Sequence, residues 1–307
     1  MVLTVLCGGV GAARLVTGLS QVVEESALCC VINVGDDLVV HGLHVSPDID
    51  TVTYTLAGLH NEATGWGVTD ESWRVMDELA EIGGPVWFRL GDRDLATHLY
   101  RTGRLRGGTS LADVTGELAR ARGVRATILP ATNDVLATML TTKSGERLSF
   151  QEYFVARRHD VEVSKVEFLG AADSRPAPGV LEAIRDAEQV IVAPSNPLVS
   201  IDPILAVPGI AHAVASRRDD VIGISPIVAG SAIKGPADRL LRELGHEASA
   251  LGVARLYEGL VGTFVIDERD ESHKGAIEGL GMQCIVTDTM MTDRGRAGAL
   301  AKVIHDA

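Results

Sequence analysis

The segment Gly8-Gly9-Val10-Gly11-Ala12-Ala13-Arg14 follows directly on an apolar run, Val2-Leu3-Thr4-Val5-Leu6-Cys7. Glycines between a strand and a helix let backbone N–H groups close on a phosphate, and the helix N-terminus adds partial positive charge. A dinucleotide fingerprint carries a third glycine, for tight helix–sheet packing. Here that place holds Arg14. A guanidinium can grip two phosphate oxygens at once. Gly8, Gly9, Gly11 and Arg14 are therefore candidate anion-binding residues, and an NAD(P)-dependent oxidoreductase fits poorly. The alternative is a plain strand-to-helix turn with Arg14 facing solvent.

Carboxylates gather nearby. A second apolar run ends in Asn33-Val34-Gly35-Asp36-Asp37, and Ser46-Pro47-Asp48-Ile49-Asp50-Thr51 follows. In an open parallel sheet, ligands sit beyond the C-terminal strand ends. Asp36, Asp37, Asp48 and Asp50 would share that rim with the glycine loop. Acids there repel an anion unless a divalent cation bridges them, and magnesium takes one or two carboxylates plus phosphate oxygens. Capping of the helix expected at 51–59 is the competing role for Asp50. His41 and His44 lie between the acids, but no further Cys or His completes a zinc set, so they read as loop histidines.

Three more stretches are polar at element ends. Leu90-Gly91-Asp92-Arg93-Asp94 leads to His98, which makes Arg93 and His98 candidates to face a ligand. Pro194-Ser195-Asn196-Pro197, Ser225 before Pro226, and Lys234-Gly235-Pro236 sit where a purine or its ribose phosphate would be held. Thr287 to Met291 lines the same crevice. Trp66, Trp73 and Trp87 either floor a planar ring or pack in a core. There is no G-x-S-x-G elbow, H-E-x-x-H helix or GxxxxGK[ST] loop. The chemistry expected is displacement at phosphorus, driven by a metal and by positioning.

The elements that must position these residues alternate. Strands are expected at 2–7, 28–34, 86–90, 126–129, 189–193, 221–225, 263–266 and 283–287. Helices are expected at 11–23, 51–59, 70–82, 93–104, 110–122, 179–186, 235–245, 248–257, 273–279 and 295–305. Continuous apolar strands separated by helices predict an α/β fold, a Rossmann-like open, mostly parallel sheet with helices on both faces. Residues 134–150 read as a hairpin around Lys143-Ser144-Gly145-Glu146. They suggest a smaller α+β region, 60–170, inserted between core segments 1–59 and 171–307.

The 307 residues are 46% hydrophobic and carry a net charge of −13. That length and composition suffice for a large core, and the acidic balance argues against a nucleic-acid surface. No apolar run is long enough to span a membrane, and the first strand lacks the basic flank of a signal peptide. A cytoplasmic location follows as an expectation. The four cysteines read as reduced core residues.

Taken in order, Gly8–Arg14, Asn33–Asp37, His41-Gly42-Leu43 with Ser46–Thr51, Leu90–His98 and Pro194–Pro197 resemble the 2-phospho-L-lactate transferase family of deazaflavin coenzyme (F-420) biosynthesis, over essentially the whole chain. The resemblance implies that a guanosine diphosphate ester of lactate, or of enolpyruvate in the bacterial branch, donates to the ribityl hydroxyl of 7,8-didemethyl-8-hydroxy-5-deazariboflavin. GMP is released. It further implies a requirement for Mg²⁺ and a homodimer. Asp50 and Arg93 match deazaflavin-contacting positions, Asp36 and Asp50 match metal positions, and Asp36, Asp50 and Arg93 form the catalytic set. The Pro194–Pro197 loop falls on the guanosine side. A non-catalytic nucleotide-sugar-binding regulator on the same core is the remaining alternative.

Overall fold

The computed structural model describes residues 2–61 and 66–307. The amino-terminal half runs β1 (Leu3–Cys7), α1 (Gly9–Leu19), β2 (Leu28–Ile32), β3 (Leu38–Val40), β4 (Leu43–Val45), α2 (Pro47–Leu56), α3 (Arg74–Glu81), α4 (Asp92–Arg106), α5 (Leu111–Ala121) and β5 (Thr127–Pro130). Then come β6 (Ala137–Thr142), β7 (Arg147–Ser149), β8 (Val163–Leu169), α6 (Val180–Asp186), β9 (Gln189–Val192), α7 (Asp202–Leu205), α8 (Ile210–Ala215) and β10 (Val221–Ile224). The chain closes with β11 (Ile227–Val228), β12 (Ser231–Ala232), α9 (Ala237–Glu243), α10 (Ala250–Leu256), β13 (Thr263–Asp267), α11 (Lys274–Glu278), β14 (Gln283–Thr287) and α12 (Arg294–His305).

Seven strands form one sheet in the order β14-β13-β10-β9-β1-β2-β5. Every pairing in it is parallel. Leu3-Thr4-Val5-Leu6-Cys7 and Leu28-Cys29-Cys30-Val31-Ile32 are buried at every position. Full burial requires cover on both faces, which is why these strands are continuously apolar and do not alternate. Helix α1 packs against α2 and α12. The architecture is the Rossmann-like α/β sheet expected from the alternating pattern.

β5 lies within the 60–170 segment, yet it pairs with β2 as the edge of the main sheet. The hairpin around residues 143–146 forms from β6 and β7, and β8 joins it antiparallel as the third strand of a separate sheet. The expectation of a strand at 86–90 fails. That stretch is irregular and pairs with no strand, with Trp87 and Phe88 meeting edge-on, Trp87 37% exposed, and Phe88 and Leu90 packed by their side chains against β3 and β4. Side-chain packing without backbone pairing does not make a strand, and neither does residue composition alone. The short helices α7 and α8 were not expected at all. All four cysteines are buried and free.

Candidate functional site

The order β10-β9-β1-β2 places β9 beside β1, so the loops after these two strands face one another across the sheet's switch point. The glycine loop meets the 194–200 loop there. A Cβ on Gly11 would lie 2.6 Å from the Pro194 carbonyl oxygen, and one on Gly8 would lie 2.5 Å from Ser200 Cβ. Only glycine tolerates such approaches. Gly9 has a φ of +71°. Ser195 Oγ accepts from Gly8 N at 3.3 Å and donates to Gly8 O at 2.6 Å, clasping the two loops together. Asn196 Oδ1 accepts from Leu198 N, while its Nδ2 is buried with no protein partner. Arg14 donates to the Met291 carbonyl at 3.2 Å, which ties α1 to the segment after β14. Lys234 lies close enough that its amine is held below its usual range, first by burial and then by the Arg14 charge. Ser225 Oγ donates to Ile227 O and accepts from Ile227 N, so its hydroxyl closes its own turn.

The acidic cluster is built from the ends of β2 and α2. Asn33 is fully buried and sits one residue beyond β2. Its Nδ2 donates 2.9 Å to Asp36 Oδ1 and 2.9 Å to Asp48 Oδ2. One amide thus gathers two carboxylates from separate turns. Burial raises Asp36 well above the usual carboxylate range, and the charge of Asp48 adds to it. Burial also raises Asp48, although Asn33 and the Gly9 N–H oppose the rise. Asp37 accepts from Ser46 Oγ at 2.7 Å and pairs with His44 Nε2 at 3.0 Å. Its other oxygen is buried without a partner. His44 is thereby more than a loop residue, since it anchors one acid of the cluster.

Asp50 lies in the first turn of α2, whose N-cap is Ser46, so Asp50 does not cap that helix. Both Asp50 oxygens face Arg101: NH1 donates to Oδ2 at 2.9 Å and NH2 donates to Oδ1. Arg101 is completely buried. His98 lies alongside, with Nδ1 3.7 Å from Asp50 Oδ2 and Nε2 3.1 Å from Asp94 Oδ1. Tyr54 donates to the same Asp94 oxygen at 2.7 Å. Burial pushes Asp94 upward, but His98, Tyr54 and Arg101 outweigh it and hold the carboxyl below its usual value. Asp50, Asp94 and His98 bring potential metal-ligating atoms within 4.8 Å of one another. The guanidinium already supplies the cation at that point.

Asp94, His98 and Arg101 follow one stripe of α4, and Asp50 and Tyr54 one stripe of α2, as i, i+4 and i, i+3 spacing dictates. That i, i+3 and i, i+4 spacing is the one feature of the sequence that could single out Tyr54, Asp94 and Arg101. Arg93 stands at the start of α4 and donates to the Thr69 carbonyl. Asp92 accepts from Ser72 N and Oγ, and Glu71 accepts from the N–H groups of Val68 and Asp94. Together they seat the 68–72 turn on the N-terminus of α4. Trp66 and Trp73 meet edge to face at 5.5 Å, and Arg89 lies over the Trp73 ring.

The crevice thus offers two cations, a glycine-lined helix N-terminus and a carboxylate pair on one amide. Such a set can hold a diphosphate together with a hard divalent ion. A family model described as "2-phospho-L-lactate transferase CofD" matches residues 3–294. The phosphoenolpyruvate transferase of Streptomyces griseus is 42% identical over 307 residues, covering 98% of this chain and 96% of that protein. The 2-phospho-L-lactate transferase of Methanosarcina acetivorans is 36% identical over 300 residues, covering 98% and 97%. A solved UPF0052-family protein of Bacillus halodurans superposes with a TM-score of 0.62 at 17% identity, covering 99% of this chain and 98% of that one, a likeness of fold.

Proposed function

The chain belongs to the CofD family of 2-phospho-L-lactate transferases, and from that premise we propose that it transfers a phospho-three-carbon-acid group from a guanosine diphosphate ester to the ribityl hydroxyl of 7,8-didemethyl-8-hydroxy-5-deazariboflavin, in coenzyme F-420 biosynthesis. The hydroxyl oxygen bonds to the phosphorus that carries the acid. The bond to the GMP oxygen breaks, GMP leaves with that electron pair, and the hydroxyl proton is lost to solvent. The higher identity to the S. griseus enzyme than to the M. acetivorans one supports enolpyruvate as the acid.

One observation carries the reading: Asn33 holds the carboxylates of Asp36 and Asp48 beside the glycine loop, in an arrangement whose mutual repulsion calls for a cation. The donor set is hard oxygen and suits magnesium. Asp36 and Asp48 would hold the ion. Asp50, which the resemblance also matches to the metal, has both oxygens engaged by Arg101, and we assign it the role of accepting a hydrogen bond from the acceptor's hydroxyl through its remaining lone pairs. When bound, magnesium supplies positive charge that offsets the charge developing on the leaving phosphate. The Gly8–Gly11 amides and Arg14 hold the diphosphate, and Lys234 faces the same anion. The Pro194–Pro197 loop lies on the guanosine side, and Arg93 faces the deazaflavin.

The test is mass spectrometry of the product formed from the deazaflavin with each donor ester and Mg²⁺. A product two hydrogens lighter than the lactyl ester, formed only from the enolpyruvyl donor, is expected. No phosphodiester product with either donor refutes the assignment.

A further inference from the structure

We propose that Arg101 is a positioning residue for the transfer: its buried guanidinium fixes Asp50 in the single orientation that meets the acceptor hydroxyl. The proposal rests on the transferase reading above. Arg101 sits deep in α4 with no exposed surface, and its Nε is buried without a partner. A buried arginine with an unmet donor is a poor way to stabilise a helix pair, since apolar side chains of the same volume would serve as well or better. What the guanidinium does, and an apolar side chain would not, is hold a carboxylate at two points in a fixed plane. Its two terminal nitrogens take one oxygen of Asp50 each. Its own place is set in turn, with NH1 3.3 Å from His98 Nδ1. His98 Nε2 lies 3.1 Å from Asp94 Oδ1, the oxygen that also accepts from the Tyr54 hydroxyl.

These contacts form a chain from Tyr54, one turn along α2 from Asp50, across to α4 and back to Asp50 through Arg101. Arg101 is also near enough to the acidic cluster for its charge to act on Asp37. A carboxylate free to turn at that point would point toward the ion site as readily as toward the acceptor. The two-point hold removes that choice. Lysine would keep the charge but lose the fork, so Arg101→Lys separates positioning from charge balance.

The experiment compares wild type, Arg101→Lys, Asp50→Asn and the double variant. Each is assayed with the deazaflavin, both donors and Mg²⁺, and its thermal unfolding is followed. Arg101→Lys is expected to fold, to lose kcat by about 10- to 100-fold, as misplacement of a reacting group does, and to keep its KM for the donor. In the Asp50→Asn background the same change is expected to cost less than about twofold more, because both act through one carboxylate. Arg101→Lys with full kcat, or losses that multiply in the double variant, overturns the proposal alone. Wild-type protein inactive with both donors overturns the transferase reading and the proposal with it. If Arg101→Lys does not fold, the same cycle with Arg101→Gln, which retains buried volume as an uncharged amide, is read by the same criteria.

Discussion

Gly11 packs against the Pro194 carbonyl so closely that a single methyl group has nowhere to go. Both partners are backbone, so neither can rotate away. Gly11→Ala is expected to lower stability by about 1–3 kcal/mol, as overpacking does, and to abolish turnover by opening the phosphate loop; calorimetry and the product assay check the two effects. Asp202 offers a test of pH dependence. Burial lifts its carboxyl to about 7. A carboxyl that binds its proton more tightly folded than unfolded favours the native state while protonated, so its contribution is lost as pH rises from about 4 to about 7 and is level above that. Asp202→Asn is expected to gain on the order of 2–4 kcal/mol over wild type at pH 8 and nothing near pH 4, read as ΔG of urea unfolding at each pH. The residues legible in the sequence were those at strand ends, where glycine or aspartate has no reason to be unless backbone or charge is needed. Arg101 and Asp94 were not, because a charged residue within a helix reads as solvated, nor was Tyr54, because an aromatic there reads as core. On α4 the usual pattern is inverted: Leu99 is 59% and Tyr100 47% exposed, while His98 and Arg101 are completely buried.

Helix α4 carries a second device at its start. Its first turn has no side-chain cap of its own. Glu71 supplies one from outside, accepting from Asp94 N, and a Cβ at Gly91 would collide with that carboxylate at 2.0 Å. The seat holds the turn whose Thr69 carbonyl receives Arg93. Glu71→Ala is expected to free that turn and raise the KM for the deazaflavin about tenfold, the equivalent of one charge-assisted hydrogen bond, with the donor KM unchanged; steady-state kinetics in both substrates decides. The elements of the main sheet were readable because burial on both faces forces apolar continuity. The 86–90 segment is mostly apolar too, though broken by Arg89, and is irregular, while β3 and β4 have only three residues each, too few to show a pattern. In both cases pairing partners decide the outcome, and no local property of the segment reveals them.

Across the whole molecule, the net charge of −13 sets the field in which, on the proposed function, a diphosphate is captured. Arg14 and Lys234 supply local opposition to it, and on the proposed function the carboxylate pair on Asn33 takes a magnesium ion. Millimolar Mg²⁺ is therefore expected to raise the Tm of wild type by several degrees, and to leave Asp36→Asn/Asp48→Asn unmoved, because a ligand that binds only the native state stabilises it by mass action. No helix among the described residues is long and apolar enough to cross a membrane.

The clasp between Gly8 and Ser195 joins positions 187 residues apart, beside the parallel pairing of β1 with β9. During synthesis β1 can find β2 within its first 32 residues, but its other side waits until residue 192 has left the ribosome. For most of translation the nascent chain therefore carries an unpaired, largely apolar sheet edge, the kind that recruits a second chain. A fragment ending at residue 188 should aggregate, and co-expression of the missing carboxy-terminal piece should restore it to the supernatant.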